Sequence, residues 1–194
     1  AAHRARRVNG IPPLPAGPGT PPLQRTTLLF ALRPGEVLLG MKRRGLGKGL
    51  WNGAGGKLAP GETHAEAAVR ETHEEFGILP AAVTPVGVLR FHFLAGEGKA
   101  AWDQECVVFT AAEWAGEPHE TDEMTPRWFA REAVPFDVMW ADDHVWFPWM
   151  FAGDEFFGDI DFAANETMLG EPHVLDLPAG TVARYLAGEG RPTA

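Results

Sequence analysis

Two short runs of apolar and β-branched residues, 26–32 and 36–41, open the part of the chain that has the composition of a folded domain. Pro34 and Gly35 stand between them, and this dipeptide is typical of a tight turn. The pattern therefore predicts a β-hairpin. Apolar residues also predict strands at 86–94, 104–111, 128–129 and 156–162.

The sequence after the predicted hairpin carries the signals of one amphipathic helix. Thr63 and Glu66 form a Thr-x-x-Glu capping box, which satisfies backbone N–H groups at the start of a helix. Gly77 stands where a left-handed residue commonly ends a helix. Residues at helical spacing between these ends predict one buried stripe, made of Ala65, Ala68, Val69, Thr72 and Phe76.

Strands and helices are mixed along the chain without a regular βαβ alternation. This order predicts an α+β fold in which a mixed β-sheet is sandwiched between α-helices. We expect residues 25–180 to form one domain, in which the aromatic-rich stretch 134–151 supplies a loop and a short helix. The C-terminal segment, 181–194, is expected to be partly loose.

The first 24 residues differ in composition from the rest of the chain. They are rich in proline and arginine and contain no acidic residue, so they bury little apolar surface and are expected to form a flexible tail. A transit peptide is the alternative interpretation of the arginines, but the stretch lacks serine and an amphipathic pattern.

The composition of the chain limits the kinds of molecule that it is expected to bind and the compartment in which it is expected to work. The chain has 194 residues and a formal net charge of −9, which argues against binding nucleic-acid polymers through a general basic surface. No apolar run approaches the roughly 18 residues of a membrane span. Cys106 is the single cysteine, so no internal disulfide forms and a reducing cytoplasmic location is the default expectation. We also expect a monomer.

The polar face of the predicted helix carries a group of charged residues. Residues three and four apart share a helix face, so this face brings together Glu66, Arg70, Glu71, Glu74 and Glu75. Taken alone, the pattern is more typical of a solvated acidic face. The alternative is a site for hard divalent cations, which prefer carboxylate oxygens.

A longer motif decides between these interpretations. Gly56, Glu62 and the segment Arg-Glu-Thr-His-Glu-Glu-Phe-Gly-Ile at 70–78 resemble the Nudix box, G-x5-E-x7-R-E-U-x-E-E-x-G-U, where U is a bulky apolar residue. Every fixed position matches; Thr72 departs at the first U, where an aliphatic residue is usual. Chance is a poor explanation for so many matches at fixed spacing.

The resemblance implies a Nudix fold and a magnesium site, with Mn²⁺ as a possible substitute. It implies that Glu71, Glu74 and Glu75 bind the metal together with the carbonyl of Gly56. Arg70 would orient a catalytic glutamate, and Glu62 belongs to the same catalytic group. The general base varies among Nudix enzymes, so that role stays open between Glu74, Glu75 and Glu123.

Four further stretches resemble one Nudix subfamily, the mammalian-type oxidised purine nucleoside triphosphatases. They are LLGMKRRGLGKGLWNGAGGK at 38–57, TDEMTPRWF at 121–129, VPFDVMWADDHVWFP at 134–148 and FGDIDFAANETML at 157–169. The resemblance implies a nucleotide pocket in which Trp140 stacks on the base and Glu123 is an extra metal ligand. The substrate-binding residues that it implies are Thr27, Lys42, Asn52, Phe91, Phe93, Met124, Trp140, Asp142, Asp143 and Trp146.

The adjacent pair Asp142 and Asp143 has a physical rationale of its own. Two neighbouring carboxylates in an aromatic pocket resist ionising together, so one pKa rises. The protonated group then donates a hydrogen bond while its neighbour accepts one, which suits the mixed donors and acceptors of a purine edge. Without the flanking Trp140 and Trp146, an Asp-Asp pair is more often a helix cap or a solvated turn.

The sequence leaves three functions to compare. The favoured one is hydrolysis of oxidised purine triphosphates, of the 8-oxo-dGTP or 2-oxo-dATP type, to the monophosphate and pyrophosphate. The second is a Nudix enzyme for a methylated purine, an ordinary dNTP or ADP-ribose, and the third is a non-catalytic nucleotide-binding module. Leu46, where the subfamily has phenylalanine, and Gln104 or Trp102, at an apolar pocket position, put the base preference in question.

Overall fold

The computed structural model describes residues 7–13, 23–94, 103–163 and 165–188. Within these residues the chain forms eleven strands and three α-helices. The strands are β1 (Gln24–Arg33), β2 (Glu36–Lys42), β3 (Trp51–Asn52), β4 (Ala54–Lys57), β5 (Leu79–Pro80), β6 (Thr84–Leu94), β7 (Gln104–Ala111), β8 (Trp114–Ala115), β9 (Met124–Ala130), β10 (Glu155–Ala163) and β11 (Met168–Leu177). The helices are α1 (His64–Phe76), α2 (Asp143–Ala152) and α3 (Thr181–Leu186).

Nine of the strands form one mixed sheet, in which β1 is the central branch point. Its main path runs β11-β10-β6-β7-β1-β2-β3, while β4 pairs with β1 and β9 pairs with β2. The β1–β7 and β10–β6 pairs are parallel and the others are antiparallel. Along one edge, β1 pairs first with β4 through 26–29 and then with β2 at Leu32 and Arg33, so the sheet forks there.

Helices cover both faces of this sheet, as the sequence predicts. Side chains alternate between the faces of a strand, and neighbours on β1 therefore join different cores. Leu29 packs in a cluster with Ala68 of α1 and Val182 of α3, whereas Phe30 packs with Trp146 and Phe147 of α2. The mixed sheet between helices confirms the predicted α+β Nudix architecture.

Helix α1 begins and ends where its capping signals predict. The Thr63 hydroxyl accepts a hydrogen bond from the Glu66 N–H, and the Glu66 carboxylate accepts one from the Thr63 N–H. Gly77 adopts a left-handed conformation with φ of 73°. The buried stripe was placed partly wrongly, since Ala65 and Val69 are only half-buried and the fully enclosed positions are His64, Ala67, Ala68, Thr72, Glu75 and Phe76.

Part of the stretch predicted as a flexible tail lies on the folded domain. The Val8 N–H donates to the Asp176 carbonyl at 3.1 Å, and the Arg7 guanidinium lies 3.4 Å from the Asp176 carboxylate. Val8 and Ile11 pack against the core cluster around Leu177 and Tyr185. Residues 7–13 thus depart from the predicted tail because two apolar side chains find partners; residues 1–6 and 14–22 lie outside the described residues.

The C-terminal segment contains helix α3, and residues 189–194 lie outside the described part of the chain. Trp102 also lies outside the described residues. Within the described residues, none of the helices has the length and apolar character needed to cross a bilayer.

Candidate active site

The carboxyl group of Glu75 is buried where α1 meets the sheet. Its side chain is 1% exposed, although the sequence places it on the solvated face of the helix. One carboxylate oxygen accepts a hydrogen bond from Lys42 Nζ at 3.3 Å, and the other accepts one from the Gly55 N–H at 2.8 Å. Strands β2 and β4 therefore enclose the last turn of the helix and fix this side chain.

Burial is also the main influence on the acidity of Glu75. Removal from water raises its pKa to about 7, against the opposing effects of Lys42 and of the Gly55 N–H. The nearby Glu71 carboxylate raises this pKa further. Such a group exchanges a proton near neutral pH, which is typical of functional carboxyls.

Arg70 binds the carboxylates on the other side of the helix. Its guanidinium donates to both oxygens of Glu62, at 2.8 and 2.9 Å, and to Glu71 at 2.8 Å. It also reaches Glu74 at 3.1 Å and the Lys57 carbonyl at 3.2 Å. A planar five-donor group suits this task, since it holds several acceptors in fixed directions.

The Arg70 contacts keep Glu62 ionised. The hydrogen bond from Arg70, followed by one from the Ala59 N–H, lowers the pKa of Glu62 to about 2. Glu62 and Arg70 thus form a fixed ion pair between α1 and the stretch 58–63 that precedes it. The predicted role of Arg70 in orienting a glutamate agrees with its position beside Glu71.

Gly56 lies directly against the Glu71 carboxylate. A Cβ atom at this position would stand 2.5 Å from Glu71 Oε1, closer than any tolerable contact. Only glycine lets the backbone of β4 approach this carboxylate. Together with the buried Glu75 next to it, the region offers hard oxygen donors of the kind that Mg²⁺ prefers. The donor set therefore fits a divalent cation.

Two other predicted metal ligands are paired with arginines in this structure. The Glu74 side chain is 53% exposed and contacts Arg70, and the Glu123 carboxylate pairs with Arg44. Within the described residues, no three acidic, histidine or cysteine side chains are grouped as they would be around a metal ion. Gly56, Glu71 and Glu75 are brought together; Glu74 shares the Arg70 guanidinium with Glu71 but is exposed, and Glu123 is paired with Arg44.

A second group of functional side chains lies at the start of α2, on the opposite face of the sheet. Asp142 and Asp143 are 1% and 3% exposed. Asp142 occupies the N-cap position, but its carboxylate accepts a hydrogen bond from the Trp146 indole at 2.9 Å instead of capping the helix. The Asp143 carboxylate accepts one from the Trp140 N–H at 3.2 Å.

Burial raises the pKa of both aspartates, and the charge of Asp142 raises that of Asp143 further. Asp142 Oδ1 is buried and makes no hydrogen bond within the described part of the protein. An unpaired buried carboxylate oxygen is unusual, because it carries the full cost of desolvation. The pair thus presents a polar group that a ligand would satisfy.

Aromatic rings surround this pair. Trp140 makes an edge-to-face contact with Phe162 at a centroid distance of 5.5 Å, and Phe93 stacks on Phe162 at 5.5 Å. Phe91 lies 6.2 Å from the same ring. Phe162 is therefore a central member of the pocket that the sequence analysis did not name, although its place in an alternating apolar run was a usable signal.

A glycine-rich loop, residues 43–50 between β2 and β3, lies along one side of the pocket. A Cβ atom on Gly47 would stand 3.1 Å from the Trp140 indole nitrogen, so the loop lies against this ring. At the far end of the loop, Asn52 uses its side-chain oxygen to accept the Gly53 N–H at 2.8 Å. Gln104 pairs across the sheet with Phe91, and the two side chains therefore share a face.

Two residues predicted to line the pocket lie on the α1 side of the sheet. Thr27 is buried and donates its hydroxyl to the Val107 carbonyl at 3.3 Å, and it shares a strand face with Leu29 of the α1 core. Met124 packs with Phe76 and Ile78 in the core under α1. The structure thus places these two side chains away from the aromatic rings, and their role in substrate binding stays a prediction. Trp146 is fully buried beneath the pocket, where it supports Asp142.

Comparison with known proteins identifies the family of this chain. The model of the NUDIX domain matches residues 22–150. The oxidized purine nucleoside triphosphate hydrolase of Danio rerio is 43% identical over 150 residues, which cover 77% of this chain and 92% of that protein. The protein of the same name from Mus musculus is 39% identical over 143 residues, covering 74% and 89%.

Solved structures share the fold. A MutT protein from Bacillus halodurans superposes with a TM-score of 0.65 at 26% identity, covering 78% of this chain and 97% of that one. A MutT Nudix hydrolase from Burkholderia pseudomallei gives a TM-score of 0.52 at 26% identity, covering 59% and 88%. The family model covers α1 and most of α2, the two curated relatives each match about three quarters of this chain, and this chain belongs to the Nudix family of hydrolases.

Proposed function

We propose that this chain hydrolyses oxidised purine nucleoside triphosphates, such as 8-oxo-dGTP and 2-oxo-dATP, to the monophosphate and pyrophosphate. The observation that carries the proposal is the buried Asp142–Asp143 pair with its unpaired oxygen, enclosed by aromatic rings. The names of the zebrafish and mouse relatives support the same substrate class. The activity would serve to remove damaged nucleotides from the precursor pool.

The phosphate end of the substrate would lie beside α1. Glu71, Glu75 and the Gly56 carbonyl would hold Mg²⁺, with Mn²⁺ as a substitute, and Glu74 and Glu123 would join after leaving their arginine partners. When bound, the metal supplies charge neutralisation and polarisation of the phosphate. Arg70 fixes the direction of Glu71, and Lys42 with the Gly55 N–H fixes that of Glu75.

The base would lie in the aromatic pocket on the α2 side. Trp140 offers a ring for stacking, and Phe91, Phe93 and Phe162 exclude water from around it. A proton shared by Asp142 and Asp143 gives one donor and one acceptor in a dry site, and moving that proton changes which purine edge is matched. Asn52 lies at the loop side, where its amide would supply another polar contact.

A substrate panel with Mg²⁺ tests this proposal. We expect kcat/KM for 8-oxo-dGTP and 2-oxo-dATP to exceed that for dGTP and dATP, with pyrophosphate as a product. Preference for unmodified dGTP, a methylated purine triphosphate or ADP-ribose would favour the second function. Absence of pyrophosphate release with every nucleotide, despite measurable binding, would favour a non-catalytic module.

The same panel on Asp142→Asn tests the role of the shared proton. Loss of one bidentate base contact is worth roughly 1–3 kcal/mol, so kcat/KM for the oxidised purine should fall by that equivalent while phosphate-side chemistry is retained. An unchanged selectivity profile would contradict base recognition by this pair. The monomeric state and the cytoplasmic location remain predictions from the sequence alone.

A further inference from the structure

The loop 116–123, which joins β8 to β9, contacts the last turn of α1. Carbonyl groups at the C-terminal end of a helix have no partner inside the helix. Here the Phe76 carbonyl accepts a hydrogen bond from the His119 N–H at 3.1 Å. The Glu75 carbonyl accepts one from the Thr121 hydroxyl at 3.0 Å. The loop therefore completes the same turn that carries the buried Glu75 carboxyl group.

The Thr121 hydroxyl has further contacts within its own loop. Its oxygen accepts a hydrogen bond from the Met124 N–H at 3.1 Å and one from the Glu123 N–H at 3.3 Å. A hydroxyl has a single proton to donate, and the Met124 carbonyl, at 3.4 Å, is a more distant acceptor than the Glu75 carbonyl. One side-chain oxygen thus joins the backbone of Glu123 to the end of α1.

Close packing holds the loop in the same place. A Cβ atom on Gly77 would stand 1.9 Å from the His119 ring, and one on Gly116 would stand 3.0 Å from the Gly77 carbonyl. The Arg43 guanidinium also donates to the Thr121 carbonyl at 3.1 Å. The position of the loop is therefore set by the helix end and by the residue that follows β2.

The backbone of Glu123 is fixed from the opposite side as well. Its carbonyl accepts a hydrogen bond from the Arg43 N–H at 2.9 Å. The next residue, Met124, pairs with Lys42 in the sheet, and Lys42 Nζ lies 3.3 Å from the Glu75 carboxylate. The Glu123 backbone is thus held beside the strand residue that contacts Glu75.

The side chain of Glu123 is held less firmly than its backbone. It forms an ion pair with Arg44, whose side chain is 64% exposed. Exposed ion pairs contribute little free energy, so a divalent cation competes well for this carboxylate. Since the backbone of Glu123 is fixed on both sides, a change of partner needs only rotation of its side chain.

We propose that Thr121 is a positioning residue, whose hydroxyl holds Glu123 against the last turn of α1 so that Glu123 and Glu75 bind one divalent cation. This inference rests on the proposed function, in which both carboxylates serve the metal. A residue that only capped the helix would need the Glu75 contact alone. The additional hydrogen bond from the Glu123 N–H connects the helix end to the second carboxylate.

Binding of Mn²⁺ to the intact chain without nucleotide tests this role, with free Mn²⁺ measured by electron paramagnetic resonance. Thr121→Val keeps the shape of the side chain and removes the hydroxyl. It should raise the Kd for Mn²⁺ about tenfold, since lost partners of metal ligands typically cost about 10–100-fold in affinity. Thr121→Ser keeps the hydroxyl and should restore most of the affinity.

Thr63→Ala is the matched control, because it removes a hydroxyl hydrogen bond at the other end of the same helix. It should bind Mn²⁺ like the unmodified chain. Circular dichroism at the assay temperature establishes that each variant is folded. Thr121→Ala, which also removes the hydroxyl and adds no methyl group in its place, serves the same comparison if Thr121→Val does not fold.

A double variant shows whether Thr121 acts through Glu123. Glu123→Gln alone should weaken Mn²⁺ binding, and adding Thr121→Val to it should cause no further loss, because the residue being positioned is already gone. A general loss of stability would instead lower the affinity in either background. Additive losses would therefore overturn the proposed route through Glu123.

Two other results would contradict the proposal. Equal Mn²⁺ affinity of Thr121→Val and the unmodified chain would remove the positioning role, and so would unchanged affinity in Glu123→Gln. These measurements do not depend on the substrate. A chain that prefers another nucleotide would refute the proposed function, whereas an unmodified chain that binds no Mn²⁺ would overturn the role of Thr121 whatever the substrate panel shows.

Discussion

Glu74 and Glu75 are neighbours in the sequence, but their side chains differ in burial and in the contacts that hold them. Glu75 is enclosed and held by Lys42 and the Gly55 N–H, whereas Glu74 is 53% exposed and forms an ion pair with Arg70. Fixed geometry is what a metal ligand needs, because a displaced ligand loses both affinity and orientation. The two carboxylates should therefore contribute unequally to turnover.

We predict that Glu75→Gln lowers kcat by about 100-fold or more, since metal stabilisation of a transition state is worth several kcal/mol and each 1.36 kcal/mol is tenfold. Glu74→Gln, the matched control, should cost clearly less. Steady-state kinetics over a range of Mg²⁺ concentrations measures both. Equal losses in the two variants would show that burial does not distinguish their roles.

Asp143 gives a prediction about stability and pH. Burial raises its pKa, so the folded protein retains a proton that the unfolded chain releases above about pH 4. By linkage, this carboxyl lowers the free energy of unfolding progressively as the pH rises from about 4 up to the pKa in the folded state, and by a constant amount above it. A neutral asparagine lacks this effect.

The difference in melting temperature between Asp143→Asn and the unmodified chain should therefore shift in favour of the variant as the pH increases from 4 to 8. Thermal unfolding followed by circular dichroism at several pH values measures the difference. The exposed Asp137→Asn is the control, and its difference from the unmodified chain should stay nearly constant. If the melting temperature of Asp143→Asn minus that of the unmodified chain stays constant or falls with rising pH, the linkage is refuted.

The sequence predicts which residues carry the chemistry better than it predicts where their side chains point. The box motif identifies Glu71, Glu75 and Gly56 because their spacing is fixed by one helix and one loop. It does not reveal that Glu75 is enclosed, since this depends on β2 and β4 folding over the last helical turn. Thr27 illustrates the same limit: β1 is buried on both faces, so alternation alone does not say which core a side chain joins.

At the scale of elements, α1 depends on its first turn. Thr63 and Glu66 satisfy backbone groups that the helix leaves unpaired, and the helix places Glu71 and Glu75 about two and three turns after that cap. Losing the cap frays the start of the helix before it disturbs the last turn. Loss of the cap should consequently reduce the stability of the protein more than its catalytic activity.

Thr63→Ala should lower the free energy of unfolding by about 1 kcal/mol, within the roughly 0.5–2 kcal/mol range of N-cap replacements. Urea denaturation measures this loss, and Thr63→Ser, which keeps the hydroxyl, should restore most of it. Activity at saturating Mg²⁺ should change little in either variant. A loss in the serine variant as large as that in the alanine variant would argue against the capping hydroxyl as the cause.

The elements that the sequence predicts are those with strong local signals. The β1–β2 hairpin follows from its turn dipeptide, and α1 follows from its caps. The strands β3, β4, β5 and β8 were not predicted, because strands of two to four residues show no period and half of β4 is glycine. The strand β11 was not predicted either, because Gly170 at φ of 71° and Pro172 interrupt the alternation.

For the whole molecule, the N-terminal segment 7–13 links the outer strand to the core. Arg90, only 2% exposed, pairs with Glu105 at 3.2 Å and donates to the Pro13 carbonyl at 3.4 Å, while Tyr185 donates to the same Glu105 at 2.8 Å. A buried ion pair that loses one of its partners is costly. The segment therefore completes a network as well as covering apolar surface.

Removing residues 1–13 should lower the free energy of unfolding by about 1–3 kcal/mol, because two partly buried aliphatic side chains, Val8 and Ile11, are lost. Removing residues 1–6 alone leaves these contacts in place and serves as the control. Chemical denaturation compares the two shortened chains. Equal stability of both would show that segment 7–13 contributes nothing to the fold.

The fork in the sheet at β1 has a consequence for which molecules are processed. The aromatic pocket and the carboxylate helix lie on opposite sides of this strand, and β1 changes partner from β4 to β2 between them. A nucleotide that contacts both the aromatic pocket and the carboxylate helix must extend past the point where β1 changes its partner strand. Under the proposed function, a triphosphate would contact both sites, whereas the monophosphate product would keep mainly the contacts of its base. We therefore expect the product to bind more weakly than the substrate.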